Sequence, residues 1–191
     1  MRKIVFDTET KNTFADVGTY DAASLDISLV GIYDSDSDSY SSYLEEELPK
    51  LWPILERADL LIGFNSDHFD IPLLNKYYPG DLSKIRSLDI LKEIKDSFGR
   101  RMKLDQLAEG TLGKKKIGHG LEAIDWWKKG EVDKIRKYCL DDVRITKELY
   151  DYALTHGELI FQEGGRKNVV KLDTSKWEES GDNKLTYTLP F

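Results

Sequence analysis

The constraint that most limits this chain lies between Val132 and Leu149, where Val132, Ile135, Tyr138, Asp142, Ile145 and Leu149 recur at steps of three or four. That spacing predicts a single stripe on one face of a long helix, Glu131–Thr155. Lys134, Lys137, Asp141, Arg144 and Glu148 make a second stripe, and every member is charged. Asp141 therefore belongs to the solvated face, whereas Tyr138 and Asp142 point inward. A carboxylate on an apolar face is costly unless it is hydrogen-bonded or bound to a cation. A core Asp satisfied by a backbone amide is the competing explanation.

The opening of the chain makes a similar demand. Ile4-Val5-Phe6-Asp7-Thr8-Glu9 reads as a strand, and alternation puts Val5, Asp7 and Glu9 on one face. Two acids ending an apolar strand can simply be a polar strand end. They can also be aimed together at one cation. Asp70, at the end of Gly63-Phe64-Asn65-Ser66-Asp67-His68-Phe69-Asp70, immediately precedes Ile71-Pro72 and is well placed for an N-cap. Asp67 competes with it for any metal role.

Lys3–Phe6, Leu29–Tyr33 and Ser39–Leu44 are expected to form an antiparallel meander, with Lys11–Asp26 as a loop and Asp34–Asp38 as a turn. That turn, with Glu45, only weakly mimics a calcium loop: it lacks the glycine such loops need and is flanked by strands. The pattern then alternates. Helix is expected over Glu45–Ala58, strand over Leu60–Phe64 and helix over Ile71–Tyr78, with Pro72 in its first turn. A short strand at Ser87–Asp89 precedes helical segments at Ile90–Phe98, Leu104–Leu112 and Leu121–Lys129. The expectation is an α/β fold, a mixed sheet flanked by helices. Glu158–Gln162 and Asn168–Leu172, around Glu163-Gly164-Gly165-Arg166-Lys167, predict a small C-terminal β-hairpin. We expect a catalytic body over residues 1–157 and a hairpin and tail over 158–191.

The 191 residues suit an ordinary domain with a sizeable core. The single Cys139 excludes a disulfide framework and a cysteine-based zinc site. Met1 leads straight into a charged pair and a strand, and no apolar run approaches membrane-spanning length, so neither a signal peptide nor a transmembrane helix is expected. The expected location is cytoplasmic. Net charge is −7, from 28 Lys/Arg against 35 Asp/Glu, yet Arg100–Lys137 holds 11 against 6, a local +5 that leaves −12 elsewhere. Those basic residues read either as solvated faces or as a positive rim beside an acidic site. His68, His119 and His156 lie at no metal-ligand spacing, and Gly113–Gly120 lacks the ending of a phosphate-binding P-loop. Of Trp126-Trp127, one ring is expected in the core and one on the surface; base stacking is the alternative.

Together these segments resemble the DEDD 3′–5′ exonucleases. Phe6-Asp7-Thr8-Glu9-Thr10 looks like their first motif, Asn65-Ser66-Asp67-His68-Phe69-Asp70 their second, and Tyr138-x-x-x-Asp142 the third motif of the tyrosine (DEDDy) subgroup. The second match selects Asp70 over Asp67. Ser87–Leu91, Lys103–Ala108 and Thr111–Gly113 are similar to the exonuclease domains of family B DNA polymerases and their stand-alone relatives, so the resemblance runs from about Ile4 to Ala153. It implies a ribonuclease H-like fold and two Mg2+ or Mn2+ ions held by Asp7, Glu9, Asp70 and Asp142. Tyr138 is implied to orient the attacking water, and Thr8, Thr10, Asn65 and Phe69 to contact substrate. The implied partner is nucleic acid with a free 3′ end, single-stranded DNA before RNA, and no membrane. A structure-selective endonuclease on the same scaffold and a non-catalytic nucleic-acid-binding module are the rival readings.

Overall fold

The computed structural model of the chain describes residues 1–114 and 120–179. His119 and residues 180–191 lie outside them, as does most of the expected Gly113–Gly120 and Lys114–Lys116 stretches. Five strands form one sheet in the order β3-β2-β1-β4-β5, where β1 is Lys3–Thr10, β2 Ile27–Asp34, β3 Ser39–Leu44, β4 Leu60–Gly63 and β5 Ser87–Asp89. β1 pairs antiparallel with β2 and parallel with β4, so the sheet is mixed, as expected. The central position of β1 explains its length. Asp7 to Thr10 keep a strand partner in Gly31 to Ile27, so polar residues that read as the end of a strand continue it.

Helices cover both faces. On one, α2 (Leu48–Leu55) and α3 (Asp70–Asn75) bury Leu51, Leu55, Leu73 and Leu74 against Ile4, Phe6, Val30 and Ile32. On the other, α7 (Val132–His156) packs Val143, Leu149, Tyr150 and Ala153 on Val5, Leu60 and Ile62. The alternation of β1 thus assigns Val5, Asp7 and Glu9 to the α7 face. This helix reaches the sheet closely because residue 31, opposite Asp7 on β2, is glycine: a Cβ there would lie 2.8 Å from Cys139 Sγ.

Several expected elements differ in detail. The stretch Lys11–Asp26 is not plain loop: it contains a helical turn, α1 (Phe14–Val17), and a 3-10 turn at Ala22–Ser24. The first is stabilised by Thr13 and Asp16, which cap each other's backbone N–H. The helix expected at Glu45–Ala58 begins as a 3-10 turn and is α-helical only over Leu48–Leu55, with Pro53 inside it removing one donor. Asp34, at the β2–β3 turn, takes a two-pronged ion pair from Arg2 at 2.6 and 3.1 Å, which occupies the carboxylate that the calcium-loop reading would need.

Helices α4 (Ile90–Phe98) and α5 (Leu104–Leu107) follow, and α5 widens into a π-turn at Ala108–Leu112. The π-turn packs against the C-terminal hairpin of β6 (Glu158–Glu163) and β7 (Arg166–Lys171). Thr111 Oγ1 donates to Ile160 O at 2.7 Å and accepts from Ile160 N at 2.8 Å. A Cβ on Gly110 would sit 2.4 Å from Ile160 O, a backbone atom with nowhere to go. Gly110→Ala is therefore expected to cost about 1–3 kcal/mol and to lower the melting temperature by roughly 3–10 °C; a thermal melt unchanged within error would contradict this packing. The hairpin itself buries Leu159, Phe161 and Val170 in the cluster that holds Val5 and Leu149. No helix among the described residues is long and apolar enough to cross a membrane.

Candidate metal centre and active-site cleft

The close approach of α7 to β1 and β2 brings distant acids together. Carboxylate oxygens of Asp7 and Glu9 and the sulfur of Cys139 all lie within 4.8 Å of one another. Asp7, Glu9, Tyr138 and Asp142 line one cleft of about 430 Å3, together with Thr8, Thr10 and Phe69. Tyr138 and Asp142 are only 4% and 5% exposed, so the middle of the inward stripe on α7 lies at this cleft. Asp141, one position away, pairs instead with Arg144 on the outer face.

Electrostatics follow from that crowding. Burial, then the charges of Asp142, Glu9 and Asp7, and a hydrogen bond to Asp142 push the Tyr138 hydroxyl far above its ordinary range. At neutral pH the hydroxyl keeps its proton and is suited to donate a hydrogen bond. Burial and the same three carboxylates also hold the Cys139 thiol protonated, and its Sγ donates to Asp7 O at 3.4 Å. Cys139 is the neighbour that the motif spacing missed. Only the absence of a side chain at Gly31 reveals it, and that requires knowing the strand pairing.

Asp70 takes a different position. Parallel pairing of β1 with β4 ends at Val5↔Ile62, so the Thr8 amide has no strand partner on that side. Asp70 supplies one: its Oδ1 accepts from Thr8 N at 2.9 Å and from Thr8 Oγ1. The carboxylate is thus tied to the strand segment between Asp7 and Glu9 but does not line the cleft. Nor does it cap α3, whose N-cap position is Phe69, with no side-chain cap bond. Burial raises its pKa to about 7 against the two Thr8 bonds, with the Asp89 charge adding to the rise. Thr8, from the first motif, therefore spends its hydroxyl on Asp70.

Asn65 adopts a left-handed backbone, φ 68°, where the chain leaves β4. Asp89 holds that turn, accepting from Asn65 N at 2.8 Å and Asp67 N at 3.2 Å while also capping α4. Nothing local in the sequence marks Asp89 for this, because its partners lie more than twenty residues away. Arg101 Nη2 donates to Asn65 Oδ1 at 2.5 Å. Other members of the basic stretch are engaged in pairs: Arg100 with Glu163, Lys114 with Glu148 and Lys134 with Glu131. His68 is exposed on the loop. Trp126 and Trp127, on α6 (Gly120–Lys128), are both half-buried, which corrects the expected split. Trp126 meets the Tyr138 ring edge-on at 5.9 Å, Trp127 receives Lys11 Nζ at 4.9 Å, and both rings pack on the buried cluster of Leu29, Ala123, Ile135, Tyr138 and Cys139.

The donor set suits hard divalent cations. Asp7, Glu9 and Asp142 offer carboxylate oxygens, the ligands Mg2+ and Mn2+ prefer, and the adjacent sulfur is a neutral thiol rather than a thiolate. Mutual repulsion among carboxylates crowded into one cleft is what a bound cation would relieve.

The RNase_H superfamily matches residues 4–154 of the chain. Among solved structures, the fold is similar to a family B DNA polymerase from the hyperthermophilic archaeon Pyrobaculum calidifontis, with a TM-score of 0.61 and 21% identity over 81% of this chain and 24% of the polymerase chain. The chain thus spans about a quarter of that polymerase's length, and at this identity the likeness is one of fold. No curated protein sequence matches it.

Proposed function

The chain belongs to the RNase_H superfamily, and from that premise we propose that it is a metal-dependent 3′–5′ exonuclease that releases nucleoside monophosphates. The observation that carries this reading is the convergence of Asp7, Glu9, Tyr138 and Asp142 on one cleft from a central strand and a helix 130 residues downstream. Asp7, Glu9 and Asp142 would hold the cations, with Asp70 as the fourth carboxylate. Two bound Mg2+ or Mn2+ ions would activate a water at neutral pH and stabilise the leaving 3′ oxygen.

The protein's own groups do the positioning. Asp70 fixes Thr8 through its amide and hydroxyl, and so sets the strand segment that carries Asp7 and Glu9. Tyr138 keeps its proton at working pH and lies one helical turn before Asp142. It is suited to donate a hydrogen bond that orients the attacking water or the scissile phosphate, not to remove a proton. Thr10, Asn65 and Phe69 would contact the strand end, Thr10 and Phe69 from the cleft wall. Single-stranded DNA is the favoured substrate, with RNA as the second.

Tyr138→Phe tests the assigned role. It is expected to lower kcat by about 10²-fold, the scale of a positioned catalytic group, with Mg2+ affinity by calorimetry unchanged and the melting temperature within a few degrees. Full activity would remove Tyr138 from the reaction, and a collapsed melt would make it a packing residue only. The exonuclease reading itself is tested by offering linear and circular single strands with Mg2+ or Mn2+: only the linear substrate should be consumed, and digestion of the circle would favour an endonuclease.

A further inference from the structure

The cleft has two chemical characters. Its floor is acidic, with Asp7, Glu9 and Asp142, while Phe14, Leu25 and Phe69 line one side and Leu121 and Ile124, from α6, the other. The aromatic wall continues outward. Phe69 meets Phe14 edge-on at 6.1 Å, and Phe14 meets Tyr20 at 6.0 Å with the rings tilted by 43°. Tyr20 is 90% exposed and Leu121 70% exposed, so apolar surface is offered to solvent at the mouth. Phe14 and Tyr20 belong to the Lys11–Asp26 segment, outside the residues that carry the exonuclease motifs.

That segment is built to hold its shape. Thr13 and Asp16 close a capping box around Phe14, and Gly18 ends the turn in a left-handed conformation. Asn12 and Asp26 join the two ends of the segment through bonds of 2.8 and 2.9 Å. Lys76 Nζ ties Leu25 O and Asp26 Oδ1 to the body, each at 2.7 Å. An aromatic surface fixed before binding loses little entropy when it receives a ligand.

We propose that Phe14 and Tyr20, continuing from Phe69, form a stacking platform for the unpaired bases at the 3′ end of a single strand; this rests on the exonuclease reading of the adjoining floor. None of the described residues lining the cleft is Lys or Arg, so cation attraction to the phosphate backbone is not what these walls supply. Flat apolar rings supply base stacking, which tolerates any sequence and requires bases whose faces are free. A nucleotide divides in the same way as the cleft: its phosphate goes to the carboxylate floor with its cations, and its base goes to the ring-lined wall. Paired bases in a duplex have their faces already covered, so the platform selects for unpaired ends.

The test compares wild type, Tyr20→Ala and Tyr20→Phe on two oligonucleotides, one normal and one abasic at its last three positions. Binding is read by fluorescence anisotropy of a 5′-labelled strand with Ca2+ in place of Mg2+, and turnover is read with Mg2+. Tyr20→Ala is expected to weaken binding of the normal strand about 5- to 100-fold and to raise KM, with kcat within about twofold; Tyr20→Phe should match wild type. On the abasic strand the three proteins should bind alike. Because Tyr20 is exposed, its loss leaves folding intact. Unchanged affinity in Tyr20→Ala, or an equal loss on the abasic strand, overturns the platform while wild-type digestion leaves the exonuclease reading standing. A wild type that neither binds nor shortens nucleic acid overturns the exonuclease reading itself.

Discussion

Asp142→Asn is expected to reduce metal-dependent hydrolysis by at least about 10²-fold, while Asp141→Asn stays close to wild type. The two residues are neighbours in sequence and differ by one step around α7. Asp142 is buried in the cleft beside Tyr138, and Asp141 is paired with Arg144 on the outer face. Losing that exposed pair should change stability by less than about 1 kcal/mol. Asn keeps the size of Asp but removes a charge from a site already holding Asp7 and Glu9, so the Asp142 variant should melt no lower than wild type in chelator. Added Mg2+ should raise the melting temperature of wild type more than that of the Asp142 variant, since a ligand bound by the native state alone stabilises it. Equal loss of activity in the two variants would contradict the geometry of α7.

Gly31→Ala carries the second large effect, at a residue that touches no substrate. Its Cβ would lie 2.8 Å from Cys139 Sγ, 3.2 Å from Leu140 Cδ2 and 3.3 Å from Val143 Cγ2, so α7 must move off the sheet or tilt. Overpacking of this kind costs about 1–3 kcal/mol. Because the same turn of α7 carries Tyr138 and Asp142, activity should fall together with stability. Removing the nearest obstacle should restore part of both: the double variant Gly31→Ala, Cys139→Ala is expected to melt above Gly31→Ala alone, a coupling that separate sites would not show. Simple addition of the two single effects would mean that Gly31 does not set the helix-to-sheet distance.

What sequence reveals here depends on how local its cause is. Strands Ser39–Leu44 and Ser87–Asp89 and helix Ile90–Phe98 end where the sequence places them, the helix because Asp89 caps one end and Gly99 the other. The inward stripe on α7 is equally local, and it separates Asp142 from Asp141 without any knowledge of the sheet. Its true breadth is not local. Cys139, Val143, Thr146, Tyr150 and Ala153 are also buried, because the helix is covered by the sheet on one side and by the hairpin on another. Strand β1 runs past Phe6 because β2 pairs with its acidic end, a partner about twenty residues away. The tie from Asp70 to Thr8 needs both the parallel pairing of β4 and its early end. The shape of Lys11–Asp26 is intermediate. Its Thr13-x-x-Asp16 capping signal is visible in the sequence, but the contact of Phe14 with Phe69 exists only once α3 is docked.

The acids of β1 and α7 are proposed to make one metal-dependent centre acting at a 3′ end. The most direct measurement uses a single strand labelled on its 3′-terminal nucleotide, incubated with Mg2+ or Mn2+, with EDTA, and in parallel with the Asp142→Asn protein. The label is expected to appear first as a mononucleotide, with no labelled intermediate length, and both EDTA and the substitution are expected to abolish its release. Label emerging first in longer fragments, or release that continues undiminished in EDTA, would contradict this proposal.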